Sequence, residues 1–228
     1  MKRLGQLALL IGLLTLGVKA ASAAVPVIDG TITGTEWDTF VLSGSDVNEG
    51  GISDAYDISG IKLITDDDGG ADDGLYILLT SYAAPSLVDT GVGFPPASIG
   101  FNLNYNGDGD FLDATDLLIN HTALADGTGQ TMTVRSGTGV LLFTGVEGTN
   151  FKLGSVAEYF IPKSVIGSVS PLPGSLLGEA NYDNGGNESD DRLPDSGFFT
   201  PIPEPTSMVL LGLGLLGGIG SRKRLFGL

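Results

Sequence analysis

No cysteine occurs in the 228 residues, and histidine and tryptophan occur once each, as His121 and Trp37. Without thiols there is neither a disulfide framework nor a thiol nucleophile, so stability has to come from packing, aided at most by bound metal. No Gly-x-Ser-x-Gly elbow, zinc-binding helix or phosphate-cradling loop accompanies His121, which leaves a Ser/His/Asp site without support. A lone histidine near the end of a strand reads as a structural or surface residue. Basic residues are also scarce, 11 against 27 acids, for a net charge of −16 at pH 7.

Those few bases sit mostly at the two ends. Lys2 and Arg3 precede an apolar stretch from Leu4 to Val18, and Ala21-Ser22-Ala23-Ala24 follows with the small residues a signal peptidase reads, so residues 1–24 are expected to be a cleaved signal peptide. At the other end stands Pro203-Glu204-Pro205. Two prolines flanking an acid cannot continue a helix, which makes the triplet an exposed, extended site. The apolar segment Thr206–Gly220 behind it has fifteen residues, short against the roughly 20 that span a bilayer comfortably. Arg222, Lys223 and Arg224 would hold that end in the cytoplasm and leave the body of the chain outside.

The succession of Pro203, Glu204, Pro205, the Leu/Gly-rich run Met208–Gly220 and the basic Arg222, Lys223, Arg224 resembles the PEP-CTERM sorting signal of exopolysaccharide-producing Gram-negative bacteria. The resemblance implies processing by an exosortase near the tripeptide, transient anchoring in the inner membrane, and delivery to the cell surface or extracellular matrix. It covers residues 203–228 and supplies no catalytic role.

Six of the 11 bases lie in these two end segments, and only Glu204 of the acids does, so residues 25–202 keep 26 acids against 5 bases. So strong a negative field argues against nucleic acid or anionic lipid as a partner and leaves divalent cations as natural ones. The 178 residues suit one domain with a substantial core. Short apolar runs punctuated by Gly, Asp, Asn and Pro indicate an all-β fold, a single antiparallel β-sandwich of jelly-roll or Ig-like type. Expected strands are Val25–Ile32, Asp57–Thr65, Leu75–Tyr82, Ser98–Tyr105, Asp116–His121, Thr131–Arg135, Gly139–Phe143 and Ala157–Ile161, with a short helix at Lys163–Val169. The uniformly apolar Leu75–Leu79 and Val140–Phe143 are expected centrally in their sheets. The sandwich is placed at 25–177. Residues 178–202, rich in Asn, Asp and Gly, are expected to be a long loop or spacer, and 203–228 the sorting signal with its transmembrane segment.

Three segments, Ile28-Asp29-Gly30 with Glu36-Trp37, Leu75-Tyr76-Ile77, and Ala157-Glu158-Tyr159-Phe160-Ile161-Pro162, together resemble the β-sandwich of DOMON-like and family-nine carbohydrate-binding modules. That resemblance implies sugar or haem binding and a packing role for Trp37. It carries no binding residues over.

The most chemical-looking stretch runs from Asn104 to Asp116. Calcium takes six to eight hard oxygens, and alternate loop positions around a sharp glycine turn deliver them. Asn104, Asn106, Asp108 and Asp110 around Gly109 fit the first half of that pattern, and Asp113 and Asp116 stand close by, although the twelfth position is Thr115. The same residues suit a hairpin in which Asn-Gly and Asp-Gly supply positive φ. Both readings are open. Asp66, Asp67, Asp68, Asp72 and Asp73 form a second acidic cluster, a solvated loop or a cation site.

Taken together, the sequence describes an exported, non-catalytic surface or matrix protein, possessing a calcium-stabilised sandwich if the acidic loops bind the ion. The alternative is a surface-displayed carbohydrate-binding module, for which Tyr56, Tyr82, Tyr105 and Tyr182 are the available aromatics. A glycoside hydrolase is third, because 26 acids can be paired in too many ways for a carboxylate pair to have force. Exosortase and signal peptidase are the expected processing partners, and extracellular polysaccharide the expected surroundings.

Overall fold

The computed structural model describes residues 25–38, 40, 42–48, 53–87, 97–104, 108, 110–124, 129–167, 177–183 and 191–194. The signal peptide and the segment from Pro203 onward lie outside the described residues. In chain order the strands are β1 (Leu42–Ser45), β2 (Ile58–Asp66), β3 (Gly74–Ser81), β4 (Ser98–Asn104), β5 (Leu117–Ala123), β6 (Gln130–Ser136), β7 (Leu141–Gly145), β8 (Phe151–Leu153), β9 (Ala157–Pro162), β10 (Leu177–Asp183) and β11 (Asp191–Leu193). They build a five-stranded sheet in the order β1-β2-β3-β9-β8 and a six-stranded sheet in the order β11-β10-β4-β5-β6-β7. Strand neighbours pair antiparallel throughout. The fold is the all-β sandwich that the short, punctuated apolar runs predict.

Alternation explains the core. Leu63, Leu75, Ile77 and Leu79 of the five-stranded sheet meet Ile99, Phe101, Leu103, Ile119, Met132 and Val134 of the other, all buried. Phe101 and Tyr159 close the gap edge to face, 5.0 Å between ring centroids. The intervening residues of β3, Tyr76 and Leu78, face outward, where Trp37, Ile64 and Val156 bury them under Val25, Ile28 and Phe40. This second, smaller core accounts for the apolar character of β3 on both faces: it is the middle strand of its sheet and is covered on both sides.

The same inference fails for Val140–Phe143. The segment forms β7 at the edge of the six-stranded sheet, and Val140, Leu141 and Leu142 are exposed. Three other expectations need correction, and two short strands have no counterpart among those expected. Val25–Ile32 is no strand, because the amides of Val27, Asp29 and Gly30 donate to side-chain carboxylates and not to a sheet ladder. β1 and β8, four and three residues long, were too short to signal a period. The helix α1 covers only Lys163–Ile166, stopped by Gly167 at φ 71°, and residues 168–169 lie outside the described residues. The spacer placed at 178–202 is in part sheet, since β10 pairs with β4 along its whole length, Leu177↔Asn104 to Asp183↔Ser98, and β11 pairs with β10. Backbone pairing there overrides a polar composition.

A buried carboxylate ties the sheets together where β11 passes β2. Asp191 accepts the amide of Ile58 in the opposite sheet and that of Arg192 at 2.7 Å. Burial, with Asp46 and Asp57 nearby, pushes its carboxyl above the ordinary carboxylate range.

His121, fully buried on β5, makes a second polar tie. Its Nε2 lies 3.0 Å from Gln130 Oε1 and its Nδ1 3.0 Å from the Tyr159 hydroxyl. A carbonyl oxygen only accepts, so Nε2 bears the proton and Nδ1 accepts from the tyrosine. The ring also packs on Phe151 at 4.5 Å. Burial lowers its pKa from 6.5 to about 4, against the opposing pull of the Gln130 hydrogen bond and the Glu147 charge. The folded state therefore favours neutral imidazole. Its contribution is complete above pH 6.5 and is lost as the pH falls toward 4, about 3 kcal/mol across that window. Asp66, Glu158 and Asp191, all shifted upward, act in the opposite sense and cancel when two variants are compared. Urea unfolding at stepped pH should show His121→Gln less stable at pH 7 but losing less between pH 6.5 and 4. Parallel pH profiles in the two proteins would refute this assignment.

Candidate functional site

The turn between β2 and β3 gathers carboxylates. One oxygen each of Asp66, Asp68 and Asp72 lies within 4.8 Å of the others, and among the described residues this is the one trio of acids so placed. Local backbone explains the convergence. Gly69, at φ 93°, and Gly70 donate amides to Asp73 Oδ1 at 3.0 and 2.9 Å, which tightens the loop. A Cβ on Gly70 would sit 2.3 Å from Asp72 Oδ1 and 3.0 Å from Asp68 Oδ1, so glycine leaves the room in which the two acids approach. Lys163 at the start of α1 pairs with Asp67 and, at 3.5 Å, with Asp73, leaving the trio to itself. Tyr76 donates its hydroxyl to the Asp72 carbonyl at 2.8 Å.

Electrostatics agree with that crowding. Partial burial, then repulsion from Asp68, Asp72 and Asp73, raises the Asp66 carboxyl above its ordinary range, and its Oδ2 is enclosed without a hydrogen-bond donor. A divalent cation relieves such a cluster, and three carboxylates are the hard oxygen donors that calcium takes.

The loop from Asn104 to Asp116 is arranged differently. Asn104, fully buried, donates its amide to the Asp110 carbonyl at 2.7 Å and to Asp108 Oδ1 at 3.2 Å. Asp108 Oδ1 accepts the Asp110 amide at 2.8 Å, and Asp110 Oδ1 accepts that of Leu112 at 3.0 Å. Asp113 accepts the Thr115 amide at 2.8 Å, and the buried Asp116 accepts the Asp113 amide at 3.1 Å. Carboxylates thus cap successive turns of their own loop. Asn104, Asp108 and Asp110 come together in one turn and Asp113 and Asp116 in the next, while Asn106 lies outside the described residues.

The aromatics divide. Trp37 is buried and offers no platform. Tyr56 packs partly against the core, and Tyr82, largely exposed, donates to the Asp46 carbonyl at 2.7 Å. Tyr105 and the Tyr182 side chain lie outside what the structure describes. A separate open trough of about 520 Å³ runs over the outer face of the five-stranded sheet, where Gly60 leaves a gap between the hydroxyls of Ser43 and Ser45 on one side and Ser59 and Thr80 on the other. No carboxylate lines it. Lys62 borders it, with its ammonium donating to the Trp37 carbonyl at 3.0 Å over the Phe40 ring.

One buried acid escaped sequence reasoning. Glu158 on β9 accepts the amides of Asp29 and Gly30 on Oε2, at 2.9 and 2.7 Å, and the Trp37 indole on Oε1, at 3.0 Å. Two segments more than a hundred residues apart, Asp29–Trp37 and β9, meet at this carboxylate. Burial raises its pKa, opposed by its three donors. Gly30, at φ 82°, lies so close to Gly154 that a Cβ would approach Gly154 N to 2.9 Å. Glu158→Ala would strand two buried donors, the Gly30 amide and the Trp37 indole, and weaken the hold on the part-buried Asp29 amide, and should cost about 3–5 kcal/mol in chemical unfolding. A loss below about 1 kcal/mol would show that the knot is not structural.

Comparison with known families reaches only the other end of the chain. Residues 201–224 match the PEP-CTERM protein-sorting motif. No curated protein and no solved structure matches the chain. Among the described residues no helix is long and apolar enough to cross a membrane, and Met208–Gly220 is not among them. With its tripeptide, apolar run and basic cluster inside or beside the matched residues, the chain carries a PEP-CTERM sorting signal and is an exported protein of the exosortase-substrate kind.

Proposed function

We propose that the chain is a non-catalytic surface protein of the extracellular polysaccharide matrix whose sandwich binds calcium in the β2–β3 turn. The observation that carries the calcium reading is the convergence of Asp66, Asp68 and Asp72 within 4.8 Å of one another, beside an enclosed Asp66 oxygen that receives no hydrogen bond. An acidic exported body in a calcium-containing exterior is stabilised by the ion and can be cross-linked through it. The non-catalytic part is supported by the inventory: the single histidine is a buried structural tie, and the Asn104–Asp116 carboxylates hold their own loop.

Calorimetric titration of the full chain with calcium should give saturable heat, and calcium at a hundredfold excess over Kd should stabilise by about 2.7 kcal/mol, roughly 5–10 °C in melting temperature. Asp68→Asn/Asp72→Asn should abolish both effects, whereas Asp108→Asn/Asp110→Asn should retain them. The reverse pattern would move the ion to the Asn104–Asp116 loop. No heat in the natural chain would end the calcium reading.

The trough on the outer sheet face supports a second reading, a module for neutral glycan. Hydroxyls and exposed backbone without carboxylates suit the hydroxyl-rich face of a sugar chain. Native-gel retardation by a neutral glucan, lost in Thr80→Trp, is expected if that reading holds. Equal mobility with and without glucan would dismiss it.

A further inference from the structure

The run Val140–Phe143 looks like the interior of a sheet and lies at its border. β7 is the last strand of the six-stranded sheet, and no described strand pairs with its outer side. Val140, Leu141, Leu142 and Val146 are 60%, 50%, 41% and 62% exposed, a cluster of large apolar side chains within seven residues. The register shows why they project. Val134 pairs with Phe143 and Arg135 with Leu141, so Leu142 is the extra residue of a β-bulge and has no partner on β6. Apart from that bulge, β7 has none of the chemical features that protect an edge: no proline, no lysine and no inward charge occurs on it.

The charge pattern identifies what covers it. No acid occurs between Asp126 and Glu147, a run of twenty residues in a chain of 27 acids, and Arg135 is the only charged side chain within it. Arg135 donates to the Gly139 carbonyl at 2.9 Å, and Glu147 at the far end is neutralised by Lys152 at 2.7 Å. Two copies of so acidic a chain repel one another over most of their surface, but β6 and β7 themselves bring no acid to this edge. An unlike partner would need an apolar, acid-free edge of its own, and a second copy brings one. The sorting segment at 201–224 would hold copies in one plane before processing, which raises their effective concentration.

We propose that β7 is a self-association edge: two copies pack antiparallel, β7 to β7, about a twofold axis, burying Leu142 and Val146 of each against the other. Such a contact is isologous and closes on itself. The opposite border of the same sheet is the three-residue β11, which contains Asp191 and Arg192, so the pairing ends at a dimer and does not propagate into a fibre.

The absence of cysteine supplies a clean test. In the full membrane-inserted chain, Thr144→Cys, on the exposed side of β7, introduces the only thiol, and mild oxidation is expected to yield a disulfide-linked dimer at least fivefold more abundant than that from Ser45→Cys on the other sheet. Adding Leu142→Lys, or separately Val146→Lys, should cut that dimer at least fivefold while leaving the melting temperature unchanged, since both side chains are exposed. Comparable dimer from the two cysteine positions, or a Thr144→Cys dimer that survives both lysines with the fold intact, would overturn the proposal.

Discussion

The Glu158 carboxylate sets the geometry of one whole side of the molecule. The described residues of 25–38 make no strand, yet with Phe40 they must cover Tyr76 and Leu78, which β3 turns away from the main core. An irregular segment has no ladder to hold it and would expose its amides if it merely lay on apolar side chains. Glu158 resolves this by accepting two of those amides and the Trp37 indole at one point beneath the segment. Because β9 is hydrogen-bonded to β3, the anchor and the surface to be covered belong to one rigid unit. Lys62 on the neighbouring β2 fixes the same segment from the other side through the Trp37 carbonyl.

The same device recurs elsewhere in a chain without disulfides. Asp191 joins the two sheets by taking an amide from the opposite one, and His121 joins β5 to β6 and β9 through its two ring nitrogens. Each is a buried polar group with its donors or acceptors supplied, and removing a partner is costlier than the bond itself is strong. Such ties add directional constraint to a core built from Leu, Ile and Val, which alone would tolerate sliding of one sheet over the other.

How far the sequence spoke depended on what each signal measures. Short apolar runs bounded by Gly, Asp, Asn and Pro report a strand that ends at a turn, and they located β2, β4, β5, β6 and β9 within a residue or two. Uniform apolarity reports only that water is avoided, which is why Leu75–Leu79 and Val140–Phe143 read alike although a second core buries one and the other stands at an edge. β10 was illegible because its pairing with β4 is a backbone matter in which Asn, Glu and Asp serve as well as Val. For the acidic loops the sequence supplied both clusters but ranked them by resemblance to a known spacing. It is the room at Gly70 and the Gly69 and Gly70 amides on Asp73 that let Asp66, Asp68 and Asp72 converge, and neither can be read from ligand spacing. Glu158 was visible only as part of an order of segments, since a buried acid and a solvated one look identical until the donors are in place.

Charge distribution links the fold to the sorting tail. Exported acidic chains stay soluble by mutual repulsion, and that repulsion also opposes any contact between copies. Two features of this sandwich act against it, and they lie on different sheets. The β2–β3 turn concentrates charge so that a divalent ion has a reason to bind there, while the β6–β7 hairpin is cleared of acids and left apolar. Raising ionic strength separates their contributions: screening weakens attraction of the ion to the exposed acids, with a Debye length near 8 Å at 0.15 M, but strengthens the approach of two like-charged copies at an apolar edge. Calcium uptake falling with salt while β7 contacts rise would therefore mark the two as independent devices on one scaffold, and a common salt dependence would mark them as one.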